Sequence, residues 1–307
     1  IVIGSVHCSG TLRVKEFLTG NGHPHHYIDL DRDPDAQELL DRFGVTAADV
    51  PVLICRLEVV LRNPSNAEIA ECLGFNEAID RAHVRDLLIV GAGPAGLAAA
   101  VYGASEGLDV LVIEGNTPGG QAGSSSRIEN YLGSPTAISG LDLTSRAWAQ
   151  AHKFGAQITT PTGAAQLVCD QGQRYEVVMA DGVRVRAKAV VIASGAEYRK
   201  PSLDNLARFE GAGVYYAATA MEAQLCQQEE IIIVGGGNSA GQAAVFLANA
   251  AKHVHILVRG EGLAATMSRY LIRRIEEHPS ITVPTQAEIV ELGGNGRLES
   301  VRVRDNR

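Results

Sequence analysis

The 307-residue chain contains no Cys-x-x-Cys pair. Its five cysteines, Cys8, Cys55, Cys72, Cys169 and Cys226, are scattered and match no metal-ligand spacing. That pattern predicts no metal centre and suits mostly buried free thiols in a reducing cytoplasm. No apolar run approaches the ~20 residues a membrane span needs, so no membrane segment is expected. The first residues, IVIGSVHC, lack a basic stretch followed by a long apolar core, so no secretory signal is expected. Because the chain does not begin with Met, a trimmed start is expected. Basic excess is missing too. With 27 Lys and Arg against 35 Asp and Glu, the net charge of −8 argues against nucleic acid as a partner. What remains is an ordinary globular balance, 46% hydrophobic and 20% charged, in a chain long enough for two or three domains.

The organising stretch is 86–115, DLLIVGAGPAGLAAAVYGASEGLDVLVIEG. The run Leu87 to Val90 reads as a buried parallel strand, and a small-residue helix and a second apolar run, Val110 to Ile113, follow. Between strand and helix stand Gly91, Ala92, Gly93, Pro94, Ala95 and Gly96. Gly91 permits a tight turn, Gly93 lets backbone approach a pyrophosphate, and Gly96 lets helix and strand pack closely. The helix N-terminus adds unpaired N–H groups and a positive dipole end. Glu114, 23 residues after Gly91, is placed to accept hydrogen bonds from ribose hydroxyls.

Residues 229–259 repeat the design. Strand Ile231 to Val234 leads into Gly235-Gly236-Gly237-Asn238-Ser239-Ala240, then a helix, then strand Val254 to Val258. Ala240 takes the third glycine position, a common variant. Two dinucleotide folds imply two cofactors. Counting 23 residues from Gly235 lands on Val258, with Arg259 next. An acid there favours a free ribose 2′-OH, whereas an Arg favours a 2′-phosphate, so the second nucleotide is expected to be NADPH. The alternative for Arg259 is a solvated strand-end charge.

Residues 1–75 form a unit of their own: strand IVIGS, helix LRVKEFLTGN, strand HHYIDL, helix DAQELLDRFG, a hairpin of PVLIC and EVVLRN, and helix SNAEIAECLGF capped by Ser65 or Asn66. This order resembles a thioredoxin-type domain, and the short length resembles glutaredoxins. Cys8 ends the first strand, and Val50-Pro51 stands where that fold usually carries a cis-proline facing the cysteine. The second cysteine is missing, since the chain reads Cys8-Ser9-Gly10-Thr11. Two alternatives stand. Cys8, at a helix N-terminus, is a monothiol catalytic site with Thr11 replacing the second sulfur, or the domain is kept for docking alone. Cys55 and Cys72 are expected in the core, and 76–85 is expected to be a linker.

The motifs GAGPAG, then GGQ at Gly119-Gly120-Gln121, then Ile128-Glu129-Asn130-Tyr131-Leu132-Gly133 resemble the FAD domain of low-molecular-weight thioredoxin reductases. A helix over 141–157 follows, then a meander with turns at Gly172 and Asp181-Gly182. The strand Lys188 to Gly195 matches the family's Ala-Thr-Gly strand end, with Ala193, Ser194 and Gly195 in its place. The resemblance implies FAD against Gly120, Gln121, Asn130, Ala193 and Gly195 as well as the first glycine turn. It also implies a Cys-x-x-Cys beginning 17 residues before the triple glycine, where this chain reads Ala218-Thr219-Ala220-Met221. Glu222 holds the position of the acid that follows the family's disulfide, either as a proton donor or as an exposed helix carboxylate. Cys226 is expected to be structural. The family reads its 2′-phosphate with several basic residues, of which Arg259 alone survives. The family's returning FAD segment is also missing after Arg307, which implies a truncated chain.

The expected fold is therefore α/β: a thioredoxin-like domain at 1–75, a linker at 76–85, an FAD domain at 86–205 and an incomplete NAD(P) domain at 206–307. The expected function is an FAD-dependent NAD(P)H oxidoreductase, a cytoplasmic homodimer. It passes hydride from NADPH to FAD and then to a disulfide or another redox protein, with Cys8 as an intermediate acceptor. The alternatives are a ferredoxin- or flavodoxin-NADP reductase and a non-catalytic FAD-binding redox sensor or scaffold.

Overall fold

Val2 and Ile3, neighbours in sequence, bury their side chains in separate clusters on opposite faces of one sheet, as strand geometry demands. The computed structural model that shows this describes residues 1–34, 36–125, 127–169, 175–196 and 199–306. The chain divides into two units, Ile1–Gly123 with Ile138–Glu197, and Ser124–Ala137 with Tyr198–Arg307.

The first unit begins with β1 (Val2–Gly4), α1 (Ser9–Gly20), β2 (Tyr27–Asp29), α2 (Ala36–Arg42), β3 (Val52–Cys55), β4 (Val59–Arg62) and α3 (Asn66–Leu73). Its four strands lie in the order β2-β1-β3-β4, with β1 and β2 parallel and β3 antiparallel to both neighbours. Val2 joins Val14, Phe17 and Leu18 of α1 and Ile69 of α3, while Ile3 joins Leu40 of α2. Ser65, not Asn66, caps α3: its Oγ accepts from the Glu68 amide and Glu68 returns a bond to the Ser65 amide.

The same unit continues with β5 (Val84–Val90), α4 (Pro94–Ser105), β6 (Val110–Ile113), α5 (Gly120–Gly123), α6 (Gly140–Lys153), β7 (Gln157–Thr159), β8 (Ala164–Cys169), β9 (Tyr175–Met179) and β10 (Arg184–Ile192). They form one six-stranded sheet, β7-β6-β5-β10-β9-β8. Strands β7, β6, β5 and β10 run parallel; β9 and β8 complete the meander antiparallel. All four β6 side chains are buried, the signature of a central parallel strand covered on both faces.

Two boundaries differ from expectation. Strand β5 starts at Val84, inside the stretch expected to be linker, because the Arg85 guanidinium is buried and donates to Asp109 at 2.8 Å and to Gln157 at 2.6 Å. Helix α6 stops at Lys153 because Gly155, at φ +92°, turns the chain into β7. The expected turn at Gly172 lies outside the described residues.

The second unit contains α7 (Leu206–Phe209), α8 (Ala220–Leu225), β11 (Glu230–Val234), α9 (Asn238–Leu247), β12 (His253–Leu257), α10 (Arg269–Glu276), β13 (Ile281–Thr282), β14 (Ala287–Gly293) and β15 (Ser300–Asp305). β11, β12 and β13 form a parallel sheet, covered by α9 and α10 through Ala244, Leu271 and Ile275. β14 and β15 form a hairpin whose Leu292 packs with Leu206 and Phe209. The segment 124–137 joins this unit, with Glu129 facing Arg127 at 2.9 Å and Arg274 of α10 at 3.4 Å.

Candidate active site

The end of β10 comes against the first glycine turn so closely that side chains there are excluded. A Cβ on Gly91, whose φ is +100°, would stand 2.4 Å from the Ala193 carbonyl oxygen. One on Gly96 would stand 1.8 Å from the Gly91 carbonyl oxygen. Gly93 differs: no protein atom lies within 4 Å of the position its Cβ would take. Gly93 is the N-cap of α4 and offers no capping side chain, with Pro94 following at the start of the helix and Ala95 exposed beside it. The turn is therefore held by packing on one side and open on the other. The open side carries uncapped amides and the positive end of a twelve-residue helix, which suits the diphosphate of a dinucleotide such as FAD.

The remaining first-unit candidates gather at this turn. Gly119 donates its amide to the Ala92 carbonyl at 2.7 Å, and a Cβ on Gly120 would lie 3.1 Å from the Gly93 Cα. The Gln121 amide donates to the Ala196 carbonyl beyond Gly195, tying the Gly-Gly-Gln turn to the end of β10. Glu114 leaves β6 with one carboxylate oxygen accepting from the Ala92 amide at 2.7 Å and the other from the Asn116 amide at 2.9 Å. Each oxygen keeps acceptor capacity for a ribose hydroxyl. Asn130 lies on the 124–137 segment and belongs to the second unit.

The second turn repeats the arrangement. Gly235 has φ +134°, and Gly237 is the uncapped N-cap of α9 with open space where a Cβ would be. Ser239 and Ala240 follow in the first turn of that helix. The Asn238 side-chain oxygen accepts from both the amide and the hydroxyl of Ser268 at 2.7 Å, and Thr266 donates to the Gly236 carbonyl at 2.7 Å. Neither Thr266 nor Ser268 is among the residues expected from the sequence, because both act across 30 positions and belong to no local motif. Arg259 follows β12 and is exposed, and among the described residues its side chain makes no ion pair. It is a cation available to a phosphate at the carboxyl end of the sheet.

The thiols separate by environment. Cys8 is the half-buried N-cap of α1, whose Gly10 packs on the ring of Pro51 in the cis Val50–Pro51 peptide. Thr11 does not stand in for a second sulfur. It is fully buried and turned toward the sheet, where a Cβ on Gly4 would meet its hydroxyl at 2.2 Å. Cys55 is buried as expected. Burial, then a hydrogen bond with Cys72, pushes its thiol up to about 12, so it stays neutral and unreactive. Cys72 packs half-buried on the same cluster, and Cys169 is exposed. Burial also raises the Cys226 thiol, with the Glu222 and Glu229 carboxylates adding to the shift.

Glu222 is not an exposed carboxylate. It is 6% exposed and accepts from the Thr219 amide at 2.7 Å and from the Thr219 hydroxyl. The signal was local: Thr219-Ala-Met-Glu222 has the spacing of a capping box. Among the described residues, no three His, Cys, Asp or Glu side chains gather as a metal site, and no helix is long and apolar enough to cross a membrane.

The contrast between packed and open glycines is testable. Gly93→Ala is expected to leave the unliganded protein within about 0.5 kcal/mol of wild type, since its φ of −71° suits alanine. The same substitution is expected to abolish FAD retention, because the new methyl fills the cradle. Gly96→Ala is expected to destabilise the protein itself by about 1–3 kcal/mol through overpacking. Denaturant titrations and the flavin content of the purified variants measure both effects.

Comparison with known proteins places the chain in a family. Residues 85–307 match the family described as pyridine nucleotide-disulphide oxidoreductase. The thioredoxin reductase of Ureaplasma parvum is 32% identical over 222 residues, covering 72% of this chain and 70% of the relative. That of Streptomyces coelicolor is 34% identical over 223 residues, covering 72% and 68%. The crystal structure of Lactococcus lactis thioredoxin reductase superposes with a TM-score of 0.67 at 26% identity, covering 72% of this chain and 71% of that one. The chain belongs to the pyridine nucleotide-disulphide oxidoreductase family, as an NAD(P)H-dependent flavoprotein oxidoreductase that uses FAD and NADPH.

Proposed function

We propose that the chain is an NADPH-driven reductase whose electrons leave the flavin for a disulfide or redox protein outside the two nucleotide folds. The observation that carries this reading is the pair of open glycine cradles, at Gly93 beside Glu114 and at Gly237 near Arg259, in a chain with no dithiol at Ala218 to Met221. When bound, FAD supplies two-electron chemistry between a nicotinamide and an acceptor. The protein would hold its diphosphate at the Gly91–Gly96 turn and its ribose at Glu114, with Gly120, Gln121, Ala193 and Gly195 against the remainder. Gly235, Gly237, Asn238, Ser239 and Ala240 would hold the nicotinamide dinucleotide, and Arg259 would pair with its 2′-phosphate. Glu222 shapes the site as the cap of α8, where the family's dithiol is absent.

The first 75 residues are proposed as a thioredoxin-like domain. The order β2-β1-β3-β4, with Cys8 at the N-cap position of α1 and Gly10 of that helix against Pro51, supports that assignment. Cys8 is the thiol proposed to meet the acceptor disulfide, since Cys55 and Cys226 are held neutral by burial. All five cysteines are free, which fits a reducing cytoplasm. The active form is proposed to be a homodimer.

Steady-state kinetics with a small aromatic disulfide as acceptor tests the electron route. Cys8→Ser is expected to lower NADPH-driven disulfide reduction about tenfold or more while leaving NADPH oxidation by oxygen unchanged, as loss of a nucleophile implies. Equal disulfide turnover by the variant would remove Cys8 from the path. Arg259→Ala is expected to raise KM for NADPH about tenfold and leave NADH unaffected, the value of one charge-assisted contact. A parallel change for both nucleotides would assign Arg259 to the shape of the loop and not to the 2′-phosphate.

A further inference from the structure

A hydrogen-bonded path leaves the first glycine turn and ends at α1 and the start of α3 in the amino-terminal domain. It starts at the Ala92 amide, which donates to Glu114 at 2.7 Å. The other Glu114 oxygen accepts from the Asn116 amide at 2.9 Å. The Asn116 side-chain oxygen accepts from the Asn66 side-chain amide at 3.0 Å. Asn66 opens α3, and its own oxygen accepts from Arg13 of α1 at 2.7 Å, while Arg13 also donates to the Pro64 carbonyl at 2.6 Å. Both ends of the Asn66 amide are thus engaged in a consistent donor and acceptor sense.

A second branch reaches the connecting segment. The Thr160 hydroxyl donates to the Asn116 carbonyl at 2.6 Å. The Thr160 carbonyl accepts from the Asn76 side-chain amide at 2.5 Å, and the Thr160 amide donates to the Asn76 oxygen at 2.9 Å. Beside this branch, Gly20 at the C-terminal end of α1 lies so near Thr117 that a Cβ would meet its side chain at 2.9 Å. Residues 114–117 therefore serve two purposes. They follow the acid assigned to the ribose, and they are the surface on which α1, α3 and the connecting segment rest. The contact uses the end of α1 opposite Cys8, and the twelve-residue helix spans ~18 Å.

We propose that Asn116 is a positioning residue that couples nucleotide occupancy at Glu114 to the docking of residues 1–80. A ribose diol donating to Glu114 fixes that carboxylate in the orientation that holds the Asn116 amide. Asn116 is then fixed in the orientation that receives Asn66. Linkage makes the effect reciprocal: docking of α3 tightens binding of the adenosine part of the dinucleotide, and the dinucleotide tightens docking. The inference rests on FAD occupying the first turn.

The test uses the full chain, FAD as the probe, and two readouts: the FAD dissociation constant by fluorescence, and amide hydrogen exchange across 63–68 and 76–80 with and without FAD. Asn66→Asp is the informative variant. It keeps the acceptor oxygen for Arg13 and suits the first turn of a helix, but it turns an oxygen toward the Asn116 oxygen. Asn66→Ala provides a second, uncharged break. In wild type, FAD is expected to slow exchange in both segments about fivefold or more. Both variants are expected to bind FAD about fivefold more weakly and to lose the FAD-dependent protection at 63–68. Wild-type affinity together with wild-type protection in both variants would overturn the coupling while leaving the cofactor assignment intact. A wild-type chain that does not bind FAD would overturn the cofactor assignment and the coupling together.

Discussion

The structure depends on a contact that only glycine permits. The Ala193 carbonyl at the end of β10 occupies the space a side chain on residue 91 would take, and the Gly91 carbonyl occupies the space one on residue 96 would take. These two exclusions press β5, α4 and β10 together around a single turn. That pressure aims the first amides of α4 past Gly93, the glycine of this turn with open space where a side chain would be. The first-unit residues assigned to the first nucleotide are arranged about this turn, from the Glu114 carboxylate on the Ala92 amide to the Gly119–Gln121 segment pinned by Ala92 and Ala196.

The second unit repeats the turn with different neighbours, and the differences carry the chemistry. An acid ends the strand pair in the first fold and Arg259 follows it in the second, which is why one fold is proposed to accept hydrogen bonds from a ribose and the other to offer charge to a phosphate. The stretch from Ala218 to Met221 offers no thiol, and the buried Glu222 is committed to capping its own helix. Cofactor reduction needs none of those missing atoms. The onward step does, which is why the acceptor is assigned outside the nucleotide folds and why the half-buried Cys8 matters.

Much of this was legible in the chain. Both βαβ units announce themselves by an apolar run, a spaced glycine turn and a second apolar run, all local signals. The amino-terminal strands and helices were equally plain, because each apolar stretch is bounded by a cap or a glycine. The remainder depends on pairs distant in sequence. Arg85 looked like part of a polar linker until Asp109 and Gln157 supplied its partners. Thr11 occupies a site of expected chemistry, yet helical phase turns it into the sheet at Gly4. Asn66 and Asn116 are unremarkable surface amides until the fold brings them to 3.0 Å. Glu222 is the exception, since its capping-box spacing to Thr219 was visible and outweighed by the expectation that a helix carboxylate faces water.

The central claim is that two nucleotide folds in one chain pass a hydride from one cofactor to the other. Anaerobic titration of the FAD-loaded full chain with NADPH tests it most directly, because it requires no acceptor and no cysteine. The account predicts that stoichiometric NADPH bleaches the visible flavin absorbance. A flavin that stays oxidised under excess NADPH would contradict it and leave the two folds as binding sites without electron transfer.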